Sequence, residues 1–85
     1  MDSDKRQELR KQAHDLDVTV WVGKSGVDNV VDELQEQLKV SNLVKVKFLR
    51  SARSGKDVEE VATELEDKAD AQLVETRGNT AVYYK

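Results

Sequence analysis

VWVGKSGVD, residues 20–28, marks the change from a strand to a helix and contains the most informative motif of the chain. Residues 18–22 are mostly β-branched, which is typical of a strand, and an apolar stripe at helical spacing follows Gly26. The linking loop is Gly23-Lys24-Ser25-Gly26. Three interpretations of this loop are open: a nucleotide-binding loop, a clamp for an RNA backbone, or a plain flexible turn.

On both sides of this segment the periodicity predicts the order helix, strand, helix, strand, helix, strand, strand. Asp4 with Gln7 and Asp57 with Glu60 resemble capping boxes at the start of the first and third helices. The predicted helices span about 4–16, 28–39 and 57–69, and the predicted strands span 18–22, 43–49, 71–76 and 80–84. Consecutive strand–helix–strand units favour parallel strands, whereas a closing hairpin is antiparallel. We therefore predict an α/β (α+β) two-layer sandwich with a four-stranded mixed sheet.

Composition limits the classes of function. A chain of 85 residues is long enough for one domain, which we expect to cover residues 1–85. The chain has no cysteine and only one histidine, His14, so disulfides, thiolate metal sites and a Ser-His-Asp triad are not expected. No apolar run is long enough to span a bilayer. We expect a cytoplasmic, monomeric protein without catalytic activity, cofactor, metal or membrane association.

The charges are segregated along the chain although the net charge is only -3. Residues 45–56 carry bases and no acid, namely Lys45, Lys47, Arg50, Arg53 and Lys56. Residues 57–75 carry acids and the single base Lys68. Such segregation predicts one basic and one acidic surface, and the local potential steers partners more than the net charge does. The alternative is that both runs are simply solvated faces.

The spacing of the glycines argues against a nucleotide-binding loop. A phosphate-binding loop needs a glycine five positions before its Gly-Lys-Ser, and that position is Val18 here. An RNA clamp fits better, because glycines let a sugar-phosphate backbone approach the main chain closely. Lys24 adds a mobile cation, and Ser25 adds a small hydroxyl. A similar four-residue clamp occurs in KH domains, but there it joins two helices.

The segments LRKQAHDL (9–16), VTVWVGKSGV (18–27), LVKVKF (43–48) and RGNTAVYYK (77–85) resemble the CRM domain, named for chloroplast RNA splicing and ribosome maturation. The resemblance covers nearly the whole chain. It implies a fold similar to the C-terminal domain of translation initiation factor three. It also implies a small, stand-alone RNA-binding protein of the bacterial and archaeal type, associated with precursors of the large ribosomal subunit.

The resemblance assigns RNA binding to the loop Gly23, Lys24, Ser25 and Gly26, and to the bases Arg10, Lys45 and Lys47. Neighbouring bases extend the candidate RNA-binding set to Arg6, Arg50, Arg53 and Arg77. We therefore predict a non-catalytic protein that binds structured ribosomal RNA during large-subunit maturation, with ribosomal proteins as possible further partners. Two features depart from the family pattern: the chain is acidic overall, and Asn79 follows Gly78 where a base is expected. The alternative hypothesis is a protein-interaction module that docks a basic partner through the acidic third helix.

The aromatic residues and the histidine have structural as well as functional interpretations. Trp21 either stacks on a base or, as we favour, packs under the first helix. Tyr83 and Tyr84 point to opposite faces, so at most one of them is available for stacking. We expect His14 to lie on the surface or cap the first helix.

Overall fold

The computed structural model describes residues 2–85, which form four helices around one sheet. The helices are α1 (Ser3–Ala13), α2 (Val31–Val40), α3 (Arg50–Arg53) and α4 (Val58–Ala69), and the strands are β1 (Val18–Val22), β2 (Leu43–Phe48), β3 (Gln72–Arg77) and β4 (Thr80–Tyr84). A 3-10 turn, Val27–Val30, precedes α2. No helix within this part of the chain is long and apolar enough to cross a membrane.

The sheet has the strand order β1-β2-β4-β3, so β1 and β3 are its two edges. β1 pairs with β2 in parallel, and β4 pairs antiparallel with both β2 and β3. The predicted four-stranded mixed sheet is therefore confirmed. Because β1 and β2 run the same way and β4 runs against them, the ends of β1 and β2 lie beside the β3–β4 turn.

The larger core lies between the sheet and the helices α2 and α4. Alternation along the strands directs Val20, Val22, Val46 and Phe48 to this face, where all four are fully buried. The apolar stripes of the two helices meet them, and Tyr83 donates a hydrogen bond from its hydroxyl to the backbone oxygen of Ala62, at 2.7 Å. Burial strongly raises the pKa of the Tyr83 phenol.

A smaller core lies on the opposite face, where α1 packs. Leu9 and Ala13 of α1 contact a second cluster that contains Leu43, Val74 and Val82. Helices thus cover both faces of the sheet, and α1 adds a third, partial layer to the two-layer sandwich formed by the sheet with α2 and α4.

The first helix begins and ends earlier than its sequence pattern suggested. The capping residue is Asp2, whose carboxylate accepts a hydrogen bond from the Lys5 amide at 2.7 Å, so the predicted capping box at Asp4 is wrong. The helix ends at Ala13, and the amide of Leu16 donates to the Ala13 carbonyl at 3.1 Å in a tighter turn. Leu16 still packs against the small core, which explains why it matched the helical stripe.

The remaining predicted boundaries differ from the observed ones by at most three residues. The cap of α4 at Asp57 is confirmed, because its carboxylate accepts from the Glu60 amide at 3.0 Å. The start of the second helix is a 3-10 turn, and α2 itself begins at Val31 rather than at residue 28. The basic segment predicted as a loop contains the short helix α3, whose Ala52 is buried. β2 ends one residue earlier than predicted, and β3 is shifted by one residue.

Candidate nucleic-acid interface

The loop Gly23 to Gly26 is a tight turn at the carboxyl end of β1. The amide of Gly26 donates to the carbonyl of Gly23 at 3.0 Å, and Lys24 and Ser25 at the tip are both exposed. Gly26 has φ 84° and ψ -176°, a conformation that is essentially restricted to glycine. The loop is therefore an exposed turn between the first strand and the second helical segment, as predicted.

The helix dipole of α2 contributes little at this loop. The turn is followed by the 3-10 segment, and α2 begins at Val31, five residues beyond Gly26. The field of a helix start decreases within its first turn. Any attraction of the loop for a phosphate must therefore come mainly from Lys24, from the exposed tip and from cations of neighbouring strands.

A row of side chains crosses the sheet next to this loop. Trp21 pairs with Lys47, Lys47 pairs with Thr80, and Thr80 pairs with Arg77. Directly paired residues share a face of the sheet, and this row is on the face that carries α1. Two of the predicted RNA-binding bases, Lys47 and Arg77, are thus brought into line with the loop, and both are exposed.

The basic segment after β2 reaches the same end of the sheet. The amide of Leu49 donates to the Val22 carbonyl at 2.9 Å, which holds the start of this segment against the end of β1. The following helix α3 carries Arg50, which is exposed, and Arg53, which is half-buried. We call the end of the sheet formed by Lys47 and residues 23–26, 49–56 and 77–80 the GKSG end.

Arg53 lies in the middle of the GKSG end. It lines a cleft with Gly26 and Lys56, and also a second cleft with Gly78 and Asn79 of the hairpin turn. Its Nε atom is shielded from solvent and has no hydrogen-bond acceptor within residues 2–85. Both clefts also contain carboxylates, namely Asp28 and Glu64 in the first and Asp57 and Glu59 in the second, so the positive charge of Arg53 is partly offset there.

Three other predicted bases lie further from the loop. Arg6 and Arg10 lie beside β3, the edge opposite to β1, where Arg10 forms an ion pair with Glu75 at 3.7 Å. Lys45 faces the same way as Lys47 but is half-buried, and its Nζ donates to the Leu16 carbonyl at 3.5 Å. These three residues belong to the α1 face of the sheet rather than to the GKSG end.

The aromatic residues and His14 differ in their exposure. Trp21 is 55% exposed, so its predicted packing under the first helix is wrong: Leu9 and Ala13 of α1 pack on residues of β2, β3 and β4. Tyr83 is buried in the large core, whereas Tyr84 is half-buried with the Lys5 ammonium 5.3 Å from its ring centre. His14 is exposed at the end of α1, as predicted, with its Nε2 3.0 Å from the Arg77 guanidinium.

Sequence reasoning missed Leu49 and Thr80 as members of this surface. Leu49 is 41% exposed, and its side chain is nearest to the position that a Cβ on Gly23 would occupy, at 3.9 Å. The alternation that placed Lys45 and Lys47 on one face also places Leu49 there, so the signal was present.

Many of the acids between residues 57 and 75 have partners within the protein. Asp57 caps α4, Glu66 accepts from the Leu73 amide at 2.6 Å, and Glu75 pairs with Arg10. Glu64 contacts Lys68 at 3.0 Å, and this hydrogen bond lowers the pKa of the Glu64 carboxyl. Lys68 also contacts Asp28 at 2.7 Å, which raises the pKa of the ammonium.

Residues 1–85 match the family model of the CRS1/YhbY (CRM) domain. The chain belongs to the CRM domain family. The predicted resemblance to this family is confirmed.

Similar CRM proteins occur in bacteria and archaea. A protein of Methanocaldococcus jannaschii, named as a probable RNA-binding protein, is 38% identical over 77 residues. A Bacillus subtilis protein with the same description is 41% identical over 78 residues. The matches cover 91% of this chain in both cases, but only 58% of the archaeal and 79% of the Bacillus relative.

The fold is also similar to a solved structure. The solution structure of a Staphylococcus aureus protein, described as a candidate RNA-binding protein, aligns with a TM-score of 0.82 at 26% identity. The alignment covers 100% of this chain and 88% of that protein. The α/β arrangement predicted from the sequence is therefore one that a CRM-like protein has in solution.

Proposed function

We propose that this chain is a non-catalytic RNA-binding protein that holds a sugar-phosphate backbone at its GKSG end. One observation carries the proposal. The exposed loop 23–26 lies at the same end of the sheet as four bases, namely Lys47, Arg50, Arg53 and Arg77. The three relatives are described as RNA-binding proteins and not as enzymes, which supports the same conclusion.

The mechanism follows from the chemistry of these groups. Glycine at both ends of the loop leaves the main chain open to a phosphate, because no Cβ intervenes. Lys24 and the strand and α3 bases neutralise phosphates and release counterions, a term that is independent of RNA sequence. Arg6, Arg10 and Lys45 on the α1 face extend the contact to a longer backbone segment. Discrimination between RNAs then depends on their shape and on unpaired bases.

Structured ribosomal RNA in maturing large subunits is the target that we propose, and the family resemblance is the basis for this choice. A cytoplasmic, monomeric protein with a single domain suits this role. The backbone contacts proposed here explain how such an RNA is held, and the choice of RNA is a separate question that cellular crosslinking and sequencing of the bound RNA would answer.

The acidic α4 face is a weaker candidate for the main binding surface. Four of the acids of residues 57–75, namely Asp57, Glu64, Glu66 and Glu75, are already engaged in contacts within the protein. The other acids of residues 57–75 include Glu59 and Glu60, which are exposed. A basic ribosomal protein that docks there is compatible with RNA bound at the GKSG end.

The test is a binding titration of the purified protein on a ribosomal RNA fragment at several salt concentrations. We expect Lys24→Ala to lower the affinity for all RNAs by a similar factor. The slope of log affinity against log salt concentration should fall by about one phosphate contact. The matched control is Lys39→Ala, which removes the same charge from the far end of α2, where Lys39 pairs with Glu36.

The two candidate surfaces predict different results for these variants. If Lys24→Ala and Lys39→Ala bind RNA as the parent does, the loop is not the clamp. If charge reversal at Glu59 and Glu60 then abolishes association with ribosomes, the acidic face is the main binding surface and the proposed function is wrong.

A further inference from the structure

Two exposed apolar side chains adjoin the GKSG loop. Trp21 is 55% and Leu49 is 41% exposed, and the remaining large exposed apolar residue of the described chain, Val40, lies at the end of α2. Trp21 faces Lys47 across the β1–β2 ladder, and Leu49 follows Lys47 by two residues. By strand alternation, Trp21 and Lys47 face the same side of the sheet. Leu49 directly follows β2, and its Cδ1 lies 3.9 Å from the position of an ideal Cβ on Gly23.

The fold leaves this patch open. α1 packs through Leu9 and Ala13 on Leu43, Val74 and Val82, toward the other end of the same face. The helix ends at Ala13, and the chain then passes to β1 without covering Trp21. A large aromatic side chain that remains exposed next to a candidate binding loop is a candidate contact residue.

The charges around the patch select the kind of ligand. Lys24, Lys47 and Arg50 are exposed at the GKSG end around the apolar pair. An apolar protein surface would have to cover these cations, whereas a nucleotide brings a flat π-face for the indole and a phosphate for the neighbouring cations. The patch therefore complements a nucleotide better than it complements an apolar protein.

The base must be unpaired to reach Trp21. In an A-form duplex the bases are stacked on their neighbours, and the deep major groove and shallow minor groove do not expose their faces. We propose that Trp21 and Leu49 form a stacking platform for one unpaired nucleobase, adjacent to the backbone held by the GKSG loop. The preferred RNA therefore has a bulge, loop or single strand at this point. This inference rests on the proposed function.

The fluorescence of Trp21 gives a direct test, because it is the single tryptophan of the chain. The probes are two RNA hairpins that differ only in one bulged nucleotide in the stem, and a single-stranded oligouridine. We expect quenching by the bulged hairpin and by oligouridine, and much less by the fully paired stem. Trp21→Leu should lower the affinity for the bulged hairpin by about 5- to 150-fold and leave the affinity for the paired stem nearly unchanged.

Control variants separate stacking from loss of apolar surface. Trp21→Tyr keeps an aromatic face and should restore most of the affinity lost in Trp21→Leu. Leu49→Ala should weaken binding of the bulged hairpin, whereas Val40→Ala, a truncation of an 86% exposed side chain at the end of α2, should not. Trp21 and Leu49 are at the surface, so these variants should fold as the parent does.

The outcomes distinguish the platform from the clamp. If the RNAs bind and Lys24→Ala weakens them, but Trp21→Leu has no effect and no quenching occurs, the platform is wrong and the proposed function stands. If no RNA binds at low salt, the proposed function fails, and the platform fails with it. Equal quenching by paired and bulged stems would also overturn the proposed preference.

Discussion

The two glycines of the GKSG loop should respond differently to the same added methyl group. An ideal Cβ on Gly26 meets nothing within 4 Å, so Gly26→Ala causes no clash. Its cost comes from the backbone, because φ 84° and ψ -176° are unfavourable for any residue with a Cβ. Holding alanine there should reduce the free energy of unfolding by about 1–3 kcal/mol. At about 4–8 °C per kcal/mol for a domain of this size, the melting temperature should fall by about 4–24 °C.

Gly23→Ala is the matched control within the same turn. Gly23 does not have a positive φ, and a Cβ there lies 3.9 Å from Leu49 Cδ1, an ordinary contact. Alanine at a compatible position restricts the unfolded chain, so stability should stay constant or rise by about 0.4–1 kcal/mol. The methyl group nevertheless lies on the proposed path of the phosphate, so RNA affinity should fall although the protein is no less stable.

Urea unfolding and thermal melting of both variants, together with an RNA titration, measure these effects. Equal stability of Gly26→Ala and the parent would show that the turn does not need its positive φ. If Gly23→Ala binds RNA as tightly as the parent, the argument that the phosphate approaches the main chain at this glycine is refuted.

Two further predictions concern the scaffold. Tyr83→Phe removes the hydrogen bond to the Ala62 carbonyl and should cost about 0.5–1.5 kcal/mol in urea unfolding near neutral pH. Because the phenol's pKa is raised in the folded protein, the parent should lose stability above about pH 10, where the unfolded chain ionises, and Tyr83→Phe should lack that loss. Asp57→Ala removes the cap on the Glu60 amide and should cost about 0.5–2 kcal/mol. An unchanged midpoint of unfolding would refute the cap's contribution.

The elements with strong periodicity could be predicted from the sequence, and their ends could not. Alternation along β2 puts Val44, Val46 and Phe48 on one face, and all three are buried. The spacing of Val27 and Val30, three residues apart, fits a 3-10 turn as well as an α-helix, so it could not locate the start of α2. α3 has only four residues, which is too short for a periodic signal.

At the candidate site, too, some features could be predicted from the sequence and others could not. The loop motif and the family resemblance identified residues 23–26 and Lys47, but only the strand pairing places Lys47 next to the loop. The exposure of Trp21, in contrast, depends on which part of the sheet α1 covers, and no local pattern records where a helix packs. The distance of Arg10 from the loop also depends on the tertiary arrangement. The strand order puts β3, beside which Arg10 lies, and β1 at opposite edges of the sheet.

The acidity of the chain is compatible with RNA binding because part of the acidic charge lies on the face opposite to Lys47 and Arg77. The exposed acids Asp32 and Glu33 of α2 and Glu60 of α4 belong to helices that pack on the face opposite to α1. Lys47, Arg77 and the open Trp21 belong to the α1 face. An RNA backbone bound at the GKSG end would face fewer of these acids than one docked on α2 and α4. Under the proposed function, therefore, the acids of α2 and α4 contribute to the orientation of the bound RNA, and a net charge of -3 does not measure the affinity of the GKSG end.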